Sequence, residues 1–249
     1  MGRFQGKIAV VTGGNSGIGF GTAEAFIGEG AQVVVVGRNA QRVAEAAAQL
    51  GPNATGIRAD ISRPDDISAL FADVKARFGR VDALFANAGV AQFATIGATT
   101  PEFFDNQFNT NVRGLYFTIR DAVPLMPRGS AIVVNASVAA QLGFPHTSVY
   151  SATKAAVRSL ARTLSAELLP LGIRVNSVSP GPIETPIFGK LDMPAEAKAG
   201  LGDTLVAGVP QKRMGTVAEV AAAVLFLASA DASYTIGADL VVDGGMTQL

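Results

Sequence analysis

The segment Val33-Val34-Val35-Val36 constrains the fold more than any other, because it is apolar throughout and shows no in-and-out alternation. Strands of this kind are buried on both faces, as in a parallel sheet that helices cover on both sides. Short segments rich in β-branched residues recur along the chain. The seven predicted strands span residues 7–12, 32–37, 54–58, 83–86, 131–135, 174–177 and 240–242.

Longer helical patterns lie between the predicted strands. They span residues 17–30, 41–50, 64–78, 101–125, 149–169 and 216–229. Pro64 and Pro101 stand where helices are expected to start, and Gly79 stands where one is expected to stop. This alternation predicts an α/β fold with a doubly wound parallel sheet of about seven strands and helices on both faces. No linker or repeat divides the chain, so residues 1–249 are expected to form a single domain.

The composition excludes several classes of function. Hydrophobic residues make up 49% of the chain and charged residues 16%, which supports a large core. Lys and Arg together number 20, as do Asp and Glu, and no basic tract suggests nucleic acid as a partner. The chain has no cysteine and one histidine, His146, which we interpret as a loop residue. No metal site is therefore expected.

Nothing in the sequence suggests a membrane or an export route. The N-terminal residues carry no signal-peptide core, and no apolar run approaches about 18 residues. The expected location is cytoplasmic.

A glycine-rich turn follows the first predicted strand, with the spacing T-G-x-x-x-G-x-G over residues 12–19. Glycines let the backbone turn tightly and approach a pyrophosphate, and the following helix N-terminus offers free N–H groups. The turn therefore predicts a dinucleotide-binding Rossmann fold. Its expected contact residues are Gly13, Asn15, Ser16, Gly17, Ile18 and Gly19.

Tyr150 and Lys154 are four residues apart and share one helix face, with Cβ atoms expected about 5–6 Å apart. At that distance the ammonium would stabilise a phenolate by roughly 3 kcal/mol, which corresponds to about two pKa units below the usual value for tyrosine. A tyrosine tuned in this way exchanges protons near neutral pH. Ser137, thirteen residues upstream of Tyr150, is expected to hydrogen-bond the oxygen that receives the proton.

Six motifs in family order make this chain resemble the short-chain dehydrogenase/reductase family. Each consists of a few residues at a characteristic place in the chain. They are the glycine-rich turn, Asn87-Ala88-Gly89, Asn111, the set Ser137, Tyr150 and Lys154, the pair Pro180-Gly181, and Asp243-Gly244-Gly245.

The resemblance implies a role for each catalytic residue. Tyr150 would be the general acid or base, Lys154 would lower its pKa and bind the nicotinamide ribose, and Ser137 would polarise the substrate oxygen. Asn111 would hold a helix irregularity and a proton-relaying water, with helix packing as the other interpretation. The remaining family contacts to the cofactor would come from Asp60, Ile61, Asn87, Ala88, Gly89, Pro180, Gly181, Ile183 and Thr185. Asp60 is equally interpretable as a turn cap ahead of Ser62.

The end of the second strand favours NADP(H). An acidic residue at this place accepts hydrogen bonds from the ribose in NAD sites and repels a 2′-phosphate. Here Gly37 takes that place, Arg38 and Asn39 follow it, and a guanidinium binds phosphate well. Arg42 is positioned to assist. The other interpretation of Arg38 is a solvated loop charge.

The substrate is the least determined feature. Segments 138–149 and 186–213, the second expected to be a substrate loop, would form the pocket walls and are mostly apolar. They favour a neutral and bulky ketone or secondary alcohol, unless these residues pack against the protein itself or against a neighbouring subunit. The first hypothesis is an NADPH-dependent carbonyl reductase or secondary alcohol dehydrogenase, and the second is a 3-oxoacyl-carrier-protein reductase. A third is a non-catalytic NADP(H)-binding sensor. The resemblance also implies a homotetramer.

Overall fold

The computed structural model describes residues 2–185, 202 and 204–249, and its centre is a seven-stranded parallel sheet. The strands are β1 (Ile8–Thr12), β2 (Gln32–Gly37), β3 (Ala54–Arg58), β4 (Ala83–Ala86), β5 (Ala131–Asn135), β6 (Arg174–Pro180) and β7 (Asp239–Val242). Their order across the sheet is β3-β2-β1-β4-β5-β6-β7. The predicted doubly wound, single-domain Rossmann fold is confirmed.

Helices connect the strands and start and stop where the sequence signals lie. They are α1 (Gly17–Gly28), α2 (Ala40–Leu50), α3 (Pro64–Phe78), α4 (Pro101–Phe108), α5 (Leu115–Ala122), α6 (Ser148–Leu168) and α7 (Val217–Ala228). Gly79 ends α3 in a left-handed conformation with φ 73°. Thr216 and Glu219 form a capping box at the start of α7. Within the described residues, no helix has both the length and the apolar character needed to cross a membrane.

The helix predicted over 101–125 is not continuous. A π-helical segment, Asn109–Gly114, separates α4 from α5, and a 3₁₀ turn, Val123–Leu125, follows α5. Gly114 packs so closely on the carbonyl oxygen of Ile61 that a Cβ atom would clash. The wider turn also directs the Asn111 amide into the protein, where it is hydrogen-bonded.

The core is divided into two layers by the sheet. On one face Val10 and Val34 pack with residues of α3, α5 and α6. On the other face Val11 and Val33 pack with residues of α1 and α7. Neighbouring residues of one strand therefore contribute to opposite layers, which explains why the strands are apolar throughout.

The strand order reverses on either side of β1, which pairs with β2 and with β4. Ligands of open parallel sheets bind at such a switch point, beyond the carboxyl ends of the strands. β6 runs three residues longer than predicted, to Pro180, because β7 pairs with it over Ser177–Pro180. The carboxyl ends of β1, β4, β5 and β6 thus meet on one edge of the sheet.

Candidate active site

The turn between β1 and α1 has the shape of a phosphate cradle. Gly13 and Gly17 have φ values of 65° and 52°, which favour glycine. A Cβ atom at Gly19 would collide with the carbonyl oxygen of Gly13. Ser16 is the N-cap residue of α1, but its side chain does not cap the helix, and the first turn holds no acidic residue. The free N–H groups of α1 therefore suit a bound anion.

Asn87 anchors this turn to the end of β4. Its Nδ2 atom donates to the carbonyl oxygen of Thr12 at 3.0 Å, and the hydroxyl oxygen of Thr12 accepts the N–H groups of Asn87 and Ala88. Asn135, at the end of β5, donates its Nδ2 to Oδ1 of Asn87 at 2.8 Å. One network therefore joins the ends of β1, β4 and β5.

Asn111 connects the N-A-G segment to α6. Its Oδ1 atom accepts the N–H of Val90 at 2.8 Å, and its Nδ2 donates to the carbonyl oxygen of Val90 at 2.8 Å and to Oγ1 of Thr153 at 3.0 Å. The Thr153 hydroxyl donates in turn to the carbonyl oxygen of Tyr150 at 2.7 Å. Asn111 is 2% exposed, and its amide joins the backbone at Val90 to the first turns of α6.

Lys154 lies one turn after Tyr150 on α6, with 6% of its surface exposed. Its Nζ atom donates to the carbonyl oxygen of Asn135 at 2.7 Å and lies 5.7 Å from the centroid of the Tyr150 ring. Burial lowers the pKa of Lys154 to about 8, because a desolvated ammonium is disfavoured.

The predicted lowering of the Tyr150 pKa by Lys154 is wrong for this structure. Burial raises the pKa of Tyr150, and a hydrogen bond with Ser137 opposes that rise only in part. The physical reason lies in the geometry, since the Lys154 ammonium is directed at the Asn135 carbonyl and not at the phenol oxygen. Desolvation of the phenolate is then the larger effect.

Ser137 is held by the short 3₁₀ turn that follows β5. It is the N-cap residue of Val138–Ala140, and its Oγ atom accepts the N–H of Ala139 at 3.1 Å. The Ser137 side chain also lies near enough to Tyr150 to oppose the rise in the pKa of that phenol. The structure thus brings Ser137, Tyr150 and Lys154 together, as the sequence predicted.

Phe93 belongs to the same site, although the sequence reasoning did not identify it. Its ring contacts Tyr150 edge to face, with centroids 5.8 Å apart and planes at 79°. It remains 41% exposed. The available signal was its position four residues after Gly89, on the segment that leaves β4 at the carboxyl edge of the sheet.

At the end of β2, Arg38 and Asn39 differ in what they contact. Arg38 is exposed and has no hydrogen-bond or ion-pair partner within the described part of the chain. Asn39 caps α2, because its Oδ1 accepts the N–H of Arg42 at 2.9 Å. A Cβ atom at Gly37 would lie 2.6 Å from Oδ1 of Asn15, so the side chain of Asn15 fills the space that an acid would need.

Asp60 acts as a turn cap in this structure. Its Oδ1 atom accepts both the N–H and the hydroxyl of Ser62, at 3.0 and 2.8 Å. The neighbouring Ile61 is 5% exposed and packs in the core layer that contains α3. The capping interpretation of Asp60 is therefore supported by direct contacts.

The P-G and D-G-G motifs meet beyond β6 and β7. A Cβ atom at Gly181 would lie 2.9 Å from Cα of Asp243. Ile183 is 4% exposed and forms an isolated β-bridge with Gly215. Thr185, two residues later, is half-buried. Most of the predicted substrate loop, residues 186–201 and 203, lies outside the described residues. Across the described ranges, no group of three or more His, Asp or Glu residues is arranged to hold a metal ion.

Comparisons with known proteins find relatives that match almost the whole chain. A family model described as "Enoyl-(Acyl carrier protein) reductase" matches residues 13–247. "Oxidoreductase asL5" of Sarocladium schorii is 40% identical, with 99% of this chain and 98% of the relative covered. The "2-(R)-hydroxypropyl-CoM dehydrogenase" of Xanthobacter autotrophicus is 38% identical, with 98% and 99% covered.

The solved structures agree with the sequence relatives. A 3-ketoacyl-(acyl-carrier-protein) reductase from Brucella melitensis, complexed with NADH, superposes with a TM-score of 0.90 at 32% identity over 98% of this chain and 99% of that one. Such matches span nearly the whole length of both proteins. The chain therefore belongs to the short-chain dehydrogenase/reductase family of oxidoreductases, which bind a nicotinamide cofactor.

Proposed function

We propose that this protein is an NADPH-dependent carbonyl reductase, or secondary alcohol dehydrogenase in the reverse direction, for neutral ketones with a bulky or apolar substituent. The observation that carries the proposal is the convergence of Tyr150, Ser137 and Lys154 at the sheet edge that holds the glycine turn. An acid and a hydrogen-bond donor beside a dinucleotide cradle suit carbonyl reduction.

Tyr150 is the proposed proton donor to the carbonyl oxygen, and it is the base when an alcohol is oxidised. The burial that raises its pKa keeps the phenol protonated at neutral pH, which reduction requires. Ser137 donates a hydrogen bond to the same oxygen. Asn111 positions α6 through Thr153, and Lys154 holds the end of β5 through Asn135. The cofactor, when bound, supplies the hydride.

Most of the residues proposed to hold the cofactor come from the segments that follow the carboxyl ends of the strands, and Tyr150 and Lys154 come from α6. The proposed residues are Gly13, Asn15, Ser16, Gly17, Ile18, Gly19, Arg38, Asn39, Asp60, Ile61, Asn87, Ala88, Gly89, Tyr150, Lys154, Pro180, Gly181, Ile183 and Thr185. The free N–H groups at the start of α1 and the glycine cradle fit a pyrophosphate.

NADP(H) is the proposed cofactor because of the residues at the end of β2. Arg38, which has no partner among the described residues, offers a cation for a 2′-phosphate, and Gly37 offers no carboxylate to repel it. The side chain of Asn15 occupies the space beside Gly37, so an acidic side chain at position 37 would collide with it. The NADH in the related Brucella melitensis structure makes NAD(H) the competing cofactor.

Two other functions compete with this one. The Brucella melitensis relative is a 3-ketoacyl-(acyl-carrier-protein) reductase, which supports the same chemistry on an acyl thioester. A non-catalytic NADP(H) sensor would keep the cradle without needing Tyr150. For the assembly we propose a cytoplasmic homotetramer, supported by a formal net charge of zero and by exposed apolar residues near β7, such as Ile236 and Leu249.

The test is the loss of NADPH absorbance with acetone, acetophenone and an acetoacetyl thioester, with NADH alongside. We expect turnover of the ketones with NADPH, and a loss of at least about a thousandfold in kcat for Tyr150→Phe. Tyr234→Phe is the matched control, because Tyr234 is fully exposed. Turnover of the thioester alone would favour the carrier-protein reductase, and NADPH binding without any turnover would favour the sensor.

A further inference from the structure

The segment that follows β4 holds Phe93 in a fixed place. On one side of Phe93, the N–H of Gln92 donates to Oε1 of Gln107 at 3.3 Å, and on the other the N–H of Ala94 donates to the carbonyl oxygen of His146 at 2.9 Å. Gln107 is fully buried in α4, and His146 belongs to the turn that precedes α6. The backbone around Phe93 is therefore anchored both to α4 and to the turn that precedes α6.

A second anchor comes from the catalytic machinery itself. Asn111 accepts from and donates to the backbone of Val90, three residues before Phe93. The same asparagine binds Thr153, next to Lys154 on α6. The position of the Phe93 segment is thus coupled to the helix that carries Tyr150.

Among the described residues, Phe93 is the exposed aromatic residue whose ring contacts Tyr150. It packs edge to face on the ring of Tyr150, with the two ring centroids 5.8 Å apart, and 41% of Phe93 remains exposed. Phe104 is exposed to a similar extent, 43%, but it stacks on Phe108. Phe93 therefore presents free aromatic surface next to the phenol that carries the reacting proton.

We propose that Phe93 is a specificity-determining residue that receives an aryl or similarly flat apolar substituent on the substrate carbonyl. This inference rests on the proposed function and refines its substrate class. An aromatic surface attracts another ring through dispersion and quadrupole geometry, and it offers no hydrogen bond to a polyhydroxyl or charged substituent. Aryl ketones therefore gain a contact at Phe93 that acetone cannot make.

The test compares kcat/KM for acetophenone and acetone, both with NADPH, in the wild type, Phe93→Ala and Phe104→Ala. We expect Phe93→Ala to lower the acetophenone-to-acetone ratio of kcat/KM about tenfold, as loss of an aromatic contact of about 1.4 kcal/mol implies. Phe104→Ala should leave the ratio unchanged. Thermal unfolding of each variant checks that the fold is intact, and Phe93→Leu should give an intermediate ratio, because it restores apolar bulk without a ring.

The experiment distinguishes a failure of the Phe93 proposal from a failure of the proposed reductase function. A wild type that reduces ketones, combined with an unchanged ratio in Phe93→Ala, would overturn the role of Phe93 and leave the reductase assignment intact. A wild type that reduces no ketone would overturn the reductase assignment and the role of Phe93 together.

Discussion

At the scale of single residues, burial of the Lys154 ammonium costs the protein stability. The ammonium is nearly fully buried and has no carboxylate partner within the described residues; its one bond is to the carbonyl oxygen of Asn135. Burial lowers its pKa to about 8, because the folded protein disfavours the charged form. A lowering of the Lys154 pKa by this amount reduces the free energy of unfolding at pH 7 by about 3 kcal/mol.

We predict that Lys154→Met makes the apo protein more stable by about 2 kcal/mol at pH 7, because the desolvation penalty exceeds the lost hydrogen bond. Below pH 8 the lysine is protonated in both the folded and the unfolded wild type, so the penalty is fully present. As the pH rises from about 8 to 10.5, the folded lysine has lost its proton while the unfolded one keeps it, and wild-type stability rises.

The difference in the free energy of unfolding between Lys154→Met and the wild type should therefore shrink across that pH range. Urea unfolding of the two proteins at pH 7 and pH 9.5 measures it. Tyr150 titrates in both proteins, so its raised pKa cancels in the comparison. A variant that is less stable than the wild type at pH 7 would contradict this account of Lys154.

Arg38 is the residue on which the proposed cofactor preference depends. We predict that Arg38→Ser lowers kcat/KM for NADPH by at least about tenfold, because a charge-assisted contact with the 2′-phosphate is lost. The value for NADH should change less than about twofold, which makes NADH the internal control. Steady-state kinetics with both cofactors measure the effect. An equal loss with both cofactors would assign Arg38 a structural role instead.

Sequence reasoning at this scale reached the identity of the site residues but not their energetics. The spacing of Tyr150 and Lys154 correctly placed both on one helix face. It could not reveal that Asn135, nineteen residues away from Lys154, supplies the acceptor for the ammonium. Burial determines the direction of the Tyr150 pKa shift, and local spacing does not encode burial.

At the scale of elements, Arg174 shows how a strand can cap a helix. It lies at the start of β6, is 8% exposed, and donates to the carbonyl oxygens of Leu227 and Ser229 at 2.8 and 2.7 Å. These oxygens belong to the C-terminal end of α7, where a cation is favoured by the helix dipole. Burial lowers the pKa of Arg174.

We predict that Arg174→Met lowers the free energy of unfolding by about 2–3 kcal/mol, because two buried carbonyl groups lose their donors. Arg128→Met is the matched control, since Arg128 is exposed and donates to the single carbonyl oxygen of Pro170. It should cost less than about 1 kcal/mol. Chemical denaturation of the two variants measures both values, and equal losses would contradict the capping role.

The observed boundaries of helices and strands agree with the predicted ones where local sequence signals determine them. They differ from the predicted ones where contacts between distant residues determine them. Pro64 and Gly79 bound α3 as predicted. The π-helical segment, Asn109–Gly114, was not predictable in detail, because it depends on the close packing of Gly114 against Ile61. The extension of β6 likewise depends on Asp239, whose Oδ1 accepts the hydroxyl groups of two β6 serines.

At the scale of the whole molecule, the parallel sheet is what makes the site possible. Residues that are far apart in the chain, such as Gly13, Asn87, Ser137 and Gly181, follow different strands and meet at one edge. Apolar strands and alternating helices were enough to predict this arrangement. The same pattern could not place Phe93, because its contact with Tyr150 arises from a loop that is anchored by Asn111 and by neighbouring elements.

The most direct test of the central claim is the transfer of deuterium to acetophenone from NADPH that carries deuterium at both C4 positions, followed by mass spectrometry of the alcohol. We expect the wild type to give 1-phenylethanol that is one mass unit heavier, with deuterium on the carbinol carbon, and Tyr150→Phe to give almost none. Unlabelled alcohol, or labelled alcohol formed equally well by Tyr150→Phe, would contradict the assignment of this chain as a tyrosine-dependent carbonyl reductase.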